Sequence, residues 1–494
     1  MTNSIQAVET GLRTTPVIIT GRPVETHELL DRMHHYQVPG LSLAVIDQGE
    51  IVWAKGYGVT DVRTSEAMTS ETLLYAASIS KSVSALVALH FVEKGLLGLD
   101  QNVNDKLITW QVPENEFTQT EKVTLRRILS HTSGLDAGTY SGYSENGPMP
   151  TLLQLLRGDS PSNSSPVKVI FVPGSRYDYS GPGFWVMQQL LEDISGQSFA
   201  DLAQETVLEK VGMMSSLFQP PRPRSLKTQV AVEHNASGEA IFDKSANHPA
   251  QTDGTLLTTP TDLAHFAIEI YRASQGLSNQ IISTDLAREM LTEQIMYSGL
   301  GVDLLGEART FRFGKGGEGE GAVCEMKLFT ETGQGAVIMT NGRNGYDLIQ
   351  ELYRSIAATY DWPDYRQTSK PMAKVEQTQI QAYEGVYQVD ADPALRGQFI
   401  NYTGMWQVGD GRDILYQVQP SVDEQGQPCL QVEYPVPHVL TYYPKTAQTF
   451  FTMEEETEIT FIKNDDDTID DIQIVLSDDF IVTAHRRLDH NTQQ

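Results

Sequence analysis

Apolar and polar positions change their spacing along the chain, and the spacing predicts different elements in turn. Between residues 41 and 61, two apolar runs flank Asp47-Gln48-Gly49-Glu50, which predicts a β-hairpin. The next segment predicts a helix that Gly95 ends. Its apolar residues recur every three or four positions: Val83, Leu86, Val87 and Phe91. A long and mostly helical stretch follows, with loops rich in Gly, Pro and Ser.

Strand patterns return after about residue 310. The runs FRFGKGG, AVCEMKLFT and GAVIMTNG are short, apolar and separated by glycines, and a predicted helix over Tyr346–Tyr360 follows them. The order is therefore strands, then helices, then strands. This order predicts an α+β fold in which the late strands complete an antiparallel sheet begun by the first hairpin.

The last quarter of the chain has a different pattern. Residues 363–379 are polar with two prolines, which predicts a linker between a first domain over 1–362 and a second over 380–494. The second domain contains short runs that often alternate apolar and polar residues: EGVYQV, ILYQVQP, CLQVEY, TFFTM, EITFIK and IDDIQIVL. Turn residues at 390–393, 409–411 and 464–467 separate several of them. The pattern predicts a small all-β barrel or sandwich.

The composition of the chain limits the kinds of partner that we expect it to bind. The 494 residues carry a net charge of −28, with 64 acidic against 36 basic residues, so the surface repels nucleic acid and anionic lipid. No apolar stretch of membrane-spanning length and no signal peptide is seen, which predicts a cytoplasmic protein, or a periplasmic or secreted one if a leader was removed. Cys324 and Cys429 fall in different predicted domains, so we expect no disulfide, and no spacing predicts a metal site or another cofactor.

One short motif carries nucleophilic chemistry. In Ser78-Ile79-Ser80-Lys81, a hydroxyl and an amine three residues apart share one face of the predicted helix, at its start. Backbone N–H groups at a helix start favour developing negative charge, and a desolvated lysine can accept the serine proton. A second copy, Ser165-Pro166-Val167-Lys168, contains a proline and precedes no amphipathic helix. We therefore attribute the second copy to chance.

Blocks on both sides of Ser78 extend the pattern. In chain order they are VPGLSLAVIDQGEIVWAKGYG, YAASISKSVSAL, LLGLDQNV, ILSHTSGL, PGSRYDYSGPGFWVMQQLLEDISGQSF, TTPTDLAHF, FGKGGEGEGAVCEMKLF and MTNG. The chain resembles, over most of residues 30–345, the β-lactamase-related serine hydrolases. These include class C β-lactamases, D-alanyl-D-alanine carboxypeptidases, D-aminopeptidases and esterases. The resemblance implies a β-lactamase/transpeptidase-like domain, which is an antiparallel sheet flanked by helices with a helical subdomain.

The resemblance also implies catalytic roles. Ser78 matches the family's nucleophile and Lys81 its partner. Tyr179 matches the tyrosine of the Tyr-x-Asn motif, which acts as general base toward the serine and then as acid toward the leaving group. A tyrosine does this near neutral pH only if positive charge lowers its pKa, and Lys81 and Lys315 are the expected sources. Tyr177 matches an aromatic packing position.

Lys315-Gly316-Gly317 matches the third family motif. The resemblance places it on a strand beside the nucleophile, where Lys315 orients a substrate carboxylate or supports Tyr179. Gly317 allows the substrate backbone to approach closely. The expected oxyanion hole is formed by the backbone N–H groups of Ser78 and Glu318.

Two positions depart from the family pattern. Gly181 stands where the family has an asparagine that binds the substrate amide and holds the lysine. Gly316 stands where Thr or Ser is common. Both changes open the site and favour a substrate unlike penicillin, such as an ester or an unusual amide.

Three further residues invite other interpretations. Glu318 and Glu320 follow the third motif, and one of them binding a substrate amine is an alternative to ordinary solvated carboxylates. His131, in Ser-His-Thr-Ser-Gly-Leu, suggests a catalytic triad, but we expect a structural turn there because Ser78 already has two candidate bases.

These observations predict an acyl-enzyme hydrolase acting on a small-molecule or peptide substrate, with an amide, peptide or ester bond and with D-amino acids as one option. Two alternatives stay open. An amine or alcohol could resolve the acyl-enzyme, as in an acyltransferase, transpeptidase or peptide cyclase, or the chain could be a non-catalytic ligand-binding descendant. Tyr383-Glu384-Gly385-Val386-Tyr387 resembles the opening of the lipocalin-like barrel appended to some family members, and a homo-oligomer is left open.

Overall fold

The computed structural model of the chain divides into two compact units. Unit 1 comprises Met1–Gly11 and His27–Asp364, and unit 2 comprises Leu12–Thr26 and Tyr365–Gln494. The structure describes residues 2–138, 142–144, 147–218, 230–241, 248–389, 413–435, 438–466, 468–477 and 480–487.

The boundary between the units differs from the one that the sequence predicts. Strand β1 (Val17–Ile19) pairs in parallel with β14 (Thr368–Lys370), and the Val17 N–H donates to the Met453 carbonyl. The early segment therefore belongs to the C-terminal unit, and the predicted linker at 363–379 contains a paired strand. Local composition does not reveal this, because each strand has only three residues and its partner comes from the other end of the chain.

Unit 1 is built on an antiparallel sheet. Its strands are β2 (Gly40–Asp47), β3 (Glu50–Asp61), β4 (Glu66–Ala67), β10 (Asp303–Leu305), β11 (Arg312–Glu318), β12 (Val323–Phe329) and β13 (Gly335–Thr340). Among the described residues these seven strands follow the order β10-β11-β12-β13-β2-β3-β4. The pairing of β13 with β2 confirms that the late strands complete the sheet begun by the first hairpin.

The hairpin turn has the geometry that its residues favour. Gln48 and Gly49 both have positive φ, at 52° and 74°, as the two central residues of a type I′ turn require. The twist of such a turn matches that of the flanking strands, so β2 and β3 pair directly across it.

Helices cover this sheet and form a separate helical region. Their bounds are α1 (Thr2–Glu9), α2 (Leu29–His35), α3 (Ile79–Glu93), α4 (Leu125–Leu129), α5 (Leu152–Arg157), α6 (Gly181–Ser195), α7 (Phe199–Ala203), α8 (Glu209–Val211), α9 (Pro260–Ser274), α10 (Thr284–Met290) and α11 (Gly345–Tyr360). A π-helical turn covers Gln204–Leu208, and short 3₁₀ helices cover Val103–Asp105, Glu116–Thr118 and Ala308–Thr310. Helix α9 packs on β2, β3, β12 and β13, and α11 packs on β12 and β13.

Short strands link the helical region internally. They are β5 (Leu74–Tyr75), β8 (Leu217–Phe218) and β9 (Leu256–Thr258), which pair in the order β5-β9-β8, and β6 (Leu135–Asp136) with β7 (Lys168–Val169). Strand β5 ends just before the turn that leads into α3, so its pairing with β9 fixes the approach to this helix.

Helix α3 is the central helix of the unit. Every residue from Ile79 to Phe91 is buried, as expected for a helix surrounded by protein on all sides. It contacts β11, β12, α6 and α7. The start of α3 is thereby held beside the strand that carries Lys315.

Unit 2 contains the all-β domain. Its strands are β15 (Gly385–Val389), β16 (Leu415–Val422), β17 (Pro428–Glu433), β18 (Val439–Pro444), β19 (Thr449–Thr452), β20 (Glu458–Lys463), β21 (Ile469–Ser477) and β22 (Phe480–Arg486). In the described part of this unit, these strands pair in sequence order, and β15 pairs with β22 to close a barrel. The fold class is confirmed as α+β followed by a small all-β barrel.

The barrel has the up-and-down order of eight-stranded lipocalins, although kinship with lipocalins stays a prediction. The runs quoted from the sequence cover six of its described strands, while β18 and β22 were not predicted. A 3₁₀ turn (Gln381–Tyr383) and helix α12 (Gln377–Ile380) precede the barrel. The predicted turns at 390–393 and 409–411, and Asp467 of the third, lie outside the described residues.

None of the helices formed by the described residues combines the length and the apolar character needed to cross a bilayer.

Candidate active site

The candidate nucleophile follows a strained turn. Ala77 has φ +44°, a left-handed conformation that costs a residue with a Cβ atom about 1–3 kcal/mol. The turn is held by the Ala76 N–H, which donates to the Leu256 carbonyl, and by the Ile79 N–H, which donates to the Ala76 carbonyl. Ser78 then occupies the N-cap position of α3. Such strain is concentrated at functional sites, where the surrounding structure maintains it.

Two predicted residues, Lys81 and Tyr179, donate to the hydroxyl of the third, Ser78. The Tyr179 hydroxyl donates to Ser78 Oγ at 2.8 Å, and Lys81 Nζ donates to the same oxygen at 3.3 Å. Lys81 is only 4% exposed, and its ammonium also donates to the Asp253 carbonyl at 2.6 Å. Both acceptors require N–H donors from the lysine. Lys81 is therefore anchored between the nucleophile and the segment that carries Asp253.

Tyr179 is held by the segment that precedes α6. The Ser180 hydroxyl donates to the Leu135 carbonyl at 2.5 Å and accepts from the Gly183 N–H, which caps the helix. The Ser180 N–H donates to His131 Nδ1 at 3.2 Å. These bonds fix the backbone of Ser180, the residue that follows Tyr179. The position of the Tyr179 phenol therefore depends on the start of α6.

Two cations flank the Tyr179 ring. Lys81 Nζ lies 5.0 Å and Lys315 Nζ 5.3 Å from the ring centroid. Enclosure in the cleft raises the pKa of a phenol, but the positive charges of Lys81 and Lys315 outweigh this effect, and the pKa of Tyr179 is lowered. A phenol with a lowered pKa is a better proton acceptor near neutral pH.

His131 contacts the Tyr179 ring, and its surroundings do not suit a role as the base for Ser78. Its ring packs against the Tyr179 ring with centroids 4.3 Å apart and the planes tilted by 33°, and its Nδ1 accepts from the Ser180 N–H. Burial, together with the charges of Lys315 and Lys81, lowers the pKa of His131 well below its usual value. A neutral, buried imidazole of this kind supports the tyrosine, which agrees with the structural turn expected there.

The third motif lies on β11, beside the start of α3. Lys315 is buried, and its ammonium donates to Asp303 Oδ1 at 2.7 Å. Burial lowers the pKa of Lys315, but attraction to Asp303 and Tyr179 outweighs it, and the pKa of Lys315 is raised. The lysine is therefore a permanent cation next to Tyr179.

The two glycines of this motif differ in their surroundings. A Cβ atom on Gly317 would lie 2.3 Å from the Ala76 carbonyl oxygen and 2.7 Å from Cys324 Sγ. A side chain at Gly317 would therefore force β11 away from the turn before Ser78. A Cβ atom on Gly316 would meet nothing within 4 Å, so only Gly317 is needed for close packing.

Gly181 and Glu318 differ in whether they line the pocket around Ser78. Gly181 is the buried first residue of α6 and does not line the pocket around Ser78. Glycine has no side chain that could hold Lys81, and the lysine donates to the Asp253 carbonyl. Glu318 lines the pocket at the end of β11, where its carboxylate forms an ion pair with Arg343. The role of its backbone N–H as an oxyanion donor stays a prediction.

A pocket of about 340 Å³ opens onto Ser78, within the usual size range for small-ligand sites. Its lining is Ser78, Tyr177, Tyr179, Tyr297, Asp303, Lys315, Gly316, Gly317, Glu318, Val323, Cys324, Glu325, Tyr346 and Ile349. Tyr177 packs against Tyr297 with ring centroids 5.6 Å apart. Among the described residues, no group of His, Cys, Asp or Glu side chains could hold a metal ion.

The structure adds residues that the sequence did not indicate. Asp253 and Asp303 belong to no motif, and each reaches a lysine only through tertiary structure. The strained φ of Ala77 also has no sequence signal, since alanine is usually an ordinary helical residue. An acidic residue at the start of the strand that precedes the Lys-Gly-Gly strand is a signal that could have suggested Asp303.

The chain is similar to known proteins in sequence and in fold. Residues 27–360 match the family model described as Beta-lactamase. Penicillin-binding protein 4 of Amycolatopsis lactamdurans is 24% identical over 386 residues, which is 74% of this chain and 96% of that protein.

Two solved structures share the fold. The octameric penicillin-binding protein homologue from Pyrococcus abyssi aligns with a TM-score of 0.59 at 19% identity, over 92% of this chain and 98% of its own. The D-alanine carboxypeptidase AmpC from Burkholderia cenocepacia aligns with a TM-score of 0.52 at 17% identity, over 67% of this chain and 96% of its own. Since the family model covers well over half of the 494 residues, the chain belongs to the β-lactamase family.

Proposed function

We propose that the protein is a serine hydrolase that forms an acyl-enzyme at Ser78 and acts on an ester, amide or peptide bond. The observation that carries the proposal is the meeting of Lys81 Nζ and the Tyr179 hydroxyl at one oxygen, Ser78 Oγ. Family membership supports the same chemistry.

The proposed reaction begins with proton transfer from Ser78 to Tyr179. The Tyr179 phenolate accepts the Ser78 proton as Oγ forms a bond to the substrate carbonyl carbon, which gives a tetrahedral oxyanion. The ammonium groups of Lys81 and Lys315 stabilise the phenolate before this step. They are already in place, so little reorganisation is needed when the charge moves.

Collapse of the oxyanion breaks the bond to the leaving group, which takes the proton from Tyr179. The products of this half-reaction are the acyl-enzyme ester on Ser78 and the protonated leaving group. Water then attacks the ester carbonyl and gives a proton to Tyr179. Tyr179 passes this proton to Ser78 Oγ as the bond from Oγ to the acyl carbon breaks, so the acid leaves and both Ser78 and the phenolate are restored. One water molecule is consumed for each bond cleaved.

The backbone N–H groups of Ser78 and Glu318 are the proposed oxyanion donors. The close packing of Gly317 on Ala76 supports this assignment, because it holds the end of β11 against the turn that presents Ser78. Loss of one such donor typically costs about 10²–10³ in kcat.

The proposal is tested by burst kinetics with p-nitrophenyl butyrate. We expect the wild-type protein to release p-nitrophenol in a rapid phase, proportional to enzyme concentration, followed by slower turnover. Ser78→Ala should lose the burst and at least about 10⁴ of kcat/KM. Ser165→Ala, which changes the serine of the second Ser-x-x-Lys copy, is the matched control and should behave as wild type. Equal hydrolysis by wild type and Ser78→Ala would refute the proposal and favour a ligand-binding protein.

A further inference from the structure

The ammonium of Lys315 already has a carboxylate partner inside the pocket. Asp303 lies on β10 and pairs with Gly314, next to Lys315 on β11. The carboxylate is 27% exposed, the lysine side chain is 7% exposed, and the two meet at 2.7 Å. Both residues line the pocket that contains Ser78.

The ion pair between Asp303 and Lys315 changes the charge that the pocket presents to a substrate. Of the described residues that line the pocket, Lys315 is the one cation, while Asp303, Glu318 and Glu325 are acidic. Glu318 pairs with Arg343, and Glu325 pairs with Lys327. No lining cation is therefore left without a carboxylate partner, in the part of the chain that the structure describes.

A substrate carboxylate at Lys315 would have to share the ammonium with Asp303. Two carboxylates close together repel each other, and the repulsion is strong where water is partly excluded. An ester, an amide or an ammonium group meets no such repulsion. The Lys315 ammonium also lies 5.3 Å from the centroid of the Tyr179 ring, so its charge acts on the phenol that we propose as the proton acceptor.

We propose that Asp303 is a specificity-determining residue that occupies the counter-ion position of Lys315 and excludes substrates with a carboxylate next to the scissile carbonyl. The inference rests on the proposed acyl-enzyme function and narrows its substrate class. It favours an esterase, amidase or aminopeptidase over a carboxypeptidase, because a carboxypeptidase must accept a free carboxylate on the residue that leaves.

Two matched substrate pairs test the exclusion on either side of the bond. On the leaving side, benzoylglycyl thioglycolate is compared with benzoylglycyl thioglycolamide, by release of the thiol. On the acyl side, mono-p-nitrophenyl succinate is compared with p-nitrophenyl butyrate, by release of p-nitrophenol. We expect the wild type to favour the neutral member of each pair by about tenfold or more in kcat/KM.

Asp303→Asn should lower this preference at least about fivefold in one or both pairs, because it frees Lys315 for the substrate carboxylate. Asp303→Glu keeps the charge and should retain the preference. Glu325→Gln removes one negative charge from the same pocket, but its partner is Lys327, so the preference should change by less than about twofold. The preference is a ratio measured on one protein, so a general loss of activity in a variant does not imitate the effect.

Two outcomes would overturn the inference while leaving the proposed function intact. The first is a wild type that hydrolyses the carboxylate member of either pair as well as the neutral one. The second is an equal change of the ratio in Asp303→Asn and Glu325→Gln. If wild type and Ser78→Ala instead release equal product from all four compounds, the proposed function itself fails.

Discussion

The two Ser-x-x-Lys segments of this chain have the same spacing and very different surroundings. Ser78 and Lys81 lie on the first turn of α3, where Lys81 is 4% exposed and both residues are within reach of Tyr179. Ser165 and Lys168 lie in a loop and at the start of β7, with both side chains exposed. The difference shows that the motif gains chemistry only where a helix aligns the two groups and the protein removes water from the amine.

The largest difference between the two segments should be seen when their lysines are changed. Lys81→Met removes the buried cation that faces Ser78 and Tyr179, and we expect kcat/KM on p-nitrophenyl butyrate to fall about 10³-fold. Lys168→Met changes an exposed side chain and should leave the rate within about twofold of wild type. Circular dichroism melting checks that both variants fold. Similar losses in the two variants would contradict the distinction between the segments.

Tyr177 and Tyr179 are two residues apart, and changing each in turn separates contact with the nucleophile from packing nearby. Tyr179→Phe removes the hydroxyl that contacts Ser78 Oγ and should lower kcat about 10²–10³-fold. The Tyr177 hydroxyl interacts with Tyr297, so Tyr177→Phe should lower kcat by less than about fivefold. Single-turnover acylation rates measure both effects. A larger loss for Tyr177 than for Tyr179 would require a different proton acceptor.

Neighbouring glycines test whether the position of β11 matters for acylation. Gly317→Ala places a methyl group against the Ala76 carbonyl and should lower kcat about 10–100-fold by displacing the strand or the Ser78 turn. Gly316→Ala adds the same methyl group where no atom lies within 4 Å, so it should lower kcat less than Gly317→Ala does. If both variants keep wild-type rates, close packing of β11 on this turn is not required for catalysis.

The smallest expected effect is a shift in the pH dependence of kcat/KM. The phenolate of Tyr179 is the form that accepts the Ser78 proton, so kcat/KM on a neutral ester should rise with pH through the lowered pKa of Tyr179. Lys315→Met removes a positive charge near the ring, which raises the pKa of Tyr179 and moves this rise to higher pH. Lys327→Met, which removes a cation that pairs with Glu325, should leave the profile in place. A shift toward lower pH in Lys315→Met would contradict the proposed electrostatics.

Much of the fold could be predicted because its signals are local. The β2–β3 hairpin follows from two apolar runs on either side of Gln48-Gly49, and six barrel strands of unit 2 follow from short runs that often alternate apolar and polar residues. The positions of Ser78, Lys81 and Tyr179 followed from motifs in fixed order. The structure then showed that their side chains meet at one oxygen.

The remainder depends on contacts between distant parts of the chain. Strand β1 has three residues and is identifiable only through its pairing with β14. Asp253 supports Lys81 with a backbone carbonyl, which any residue type provides, so its identity carries no signal. Asp303 acts through its side chain, but its ion pair with Lys315 depends on the pairing of β10 with β11.

The most direct test of the account is covalent labelling of the nucleophile. Wild-type protein is treated with a fluorophosphonate, its intact mass is measured, and the modified residue is mapped by peptide fragmentation. We expect one phosphonyl group per chain, carried by Ser78, and no adduct on Ser78→Ala or on wild type at Ser165. Labelling at another residue, or equal labelling of Ser78→Ala, would contradict the assignment of Ser78 as the nucleophile.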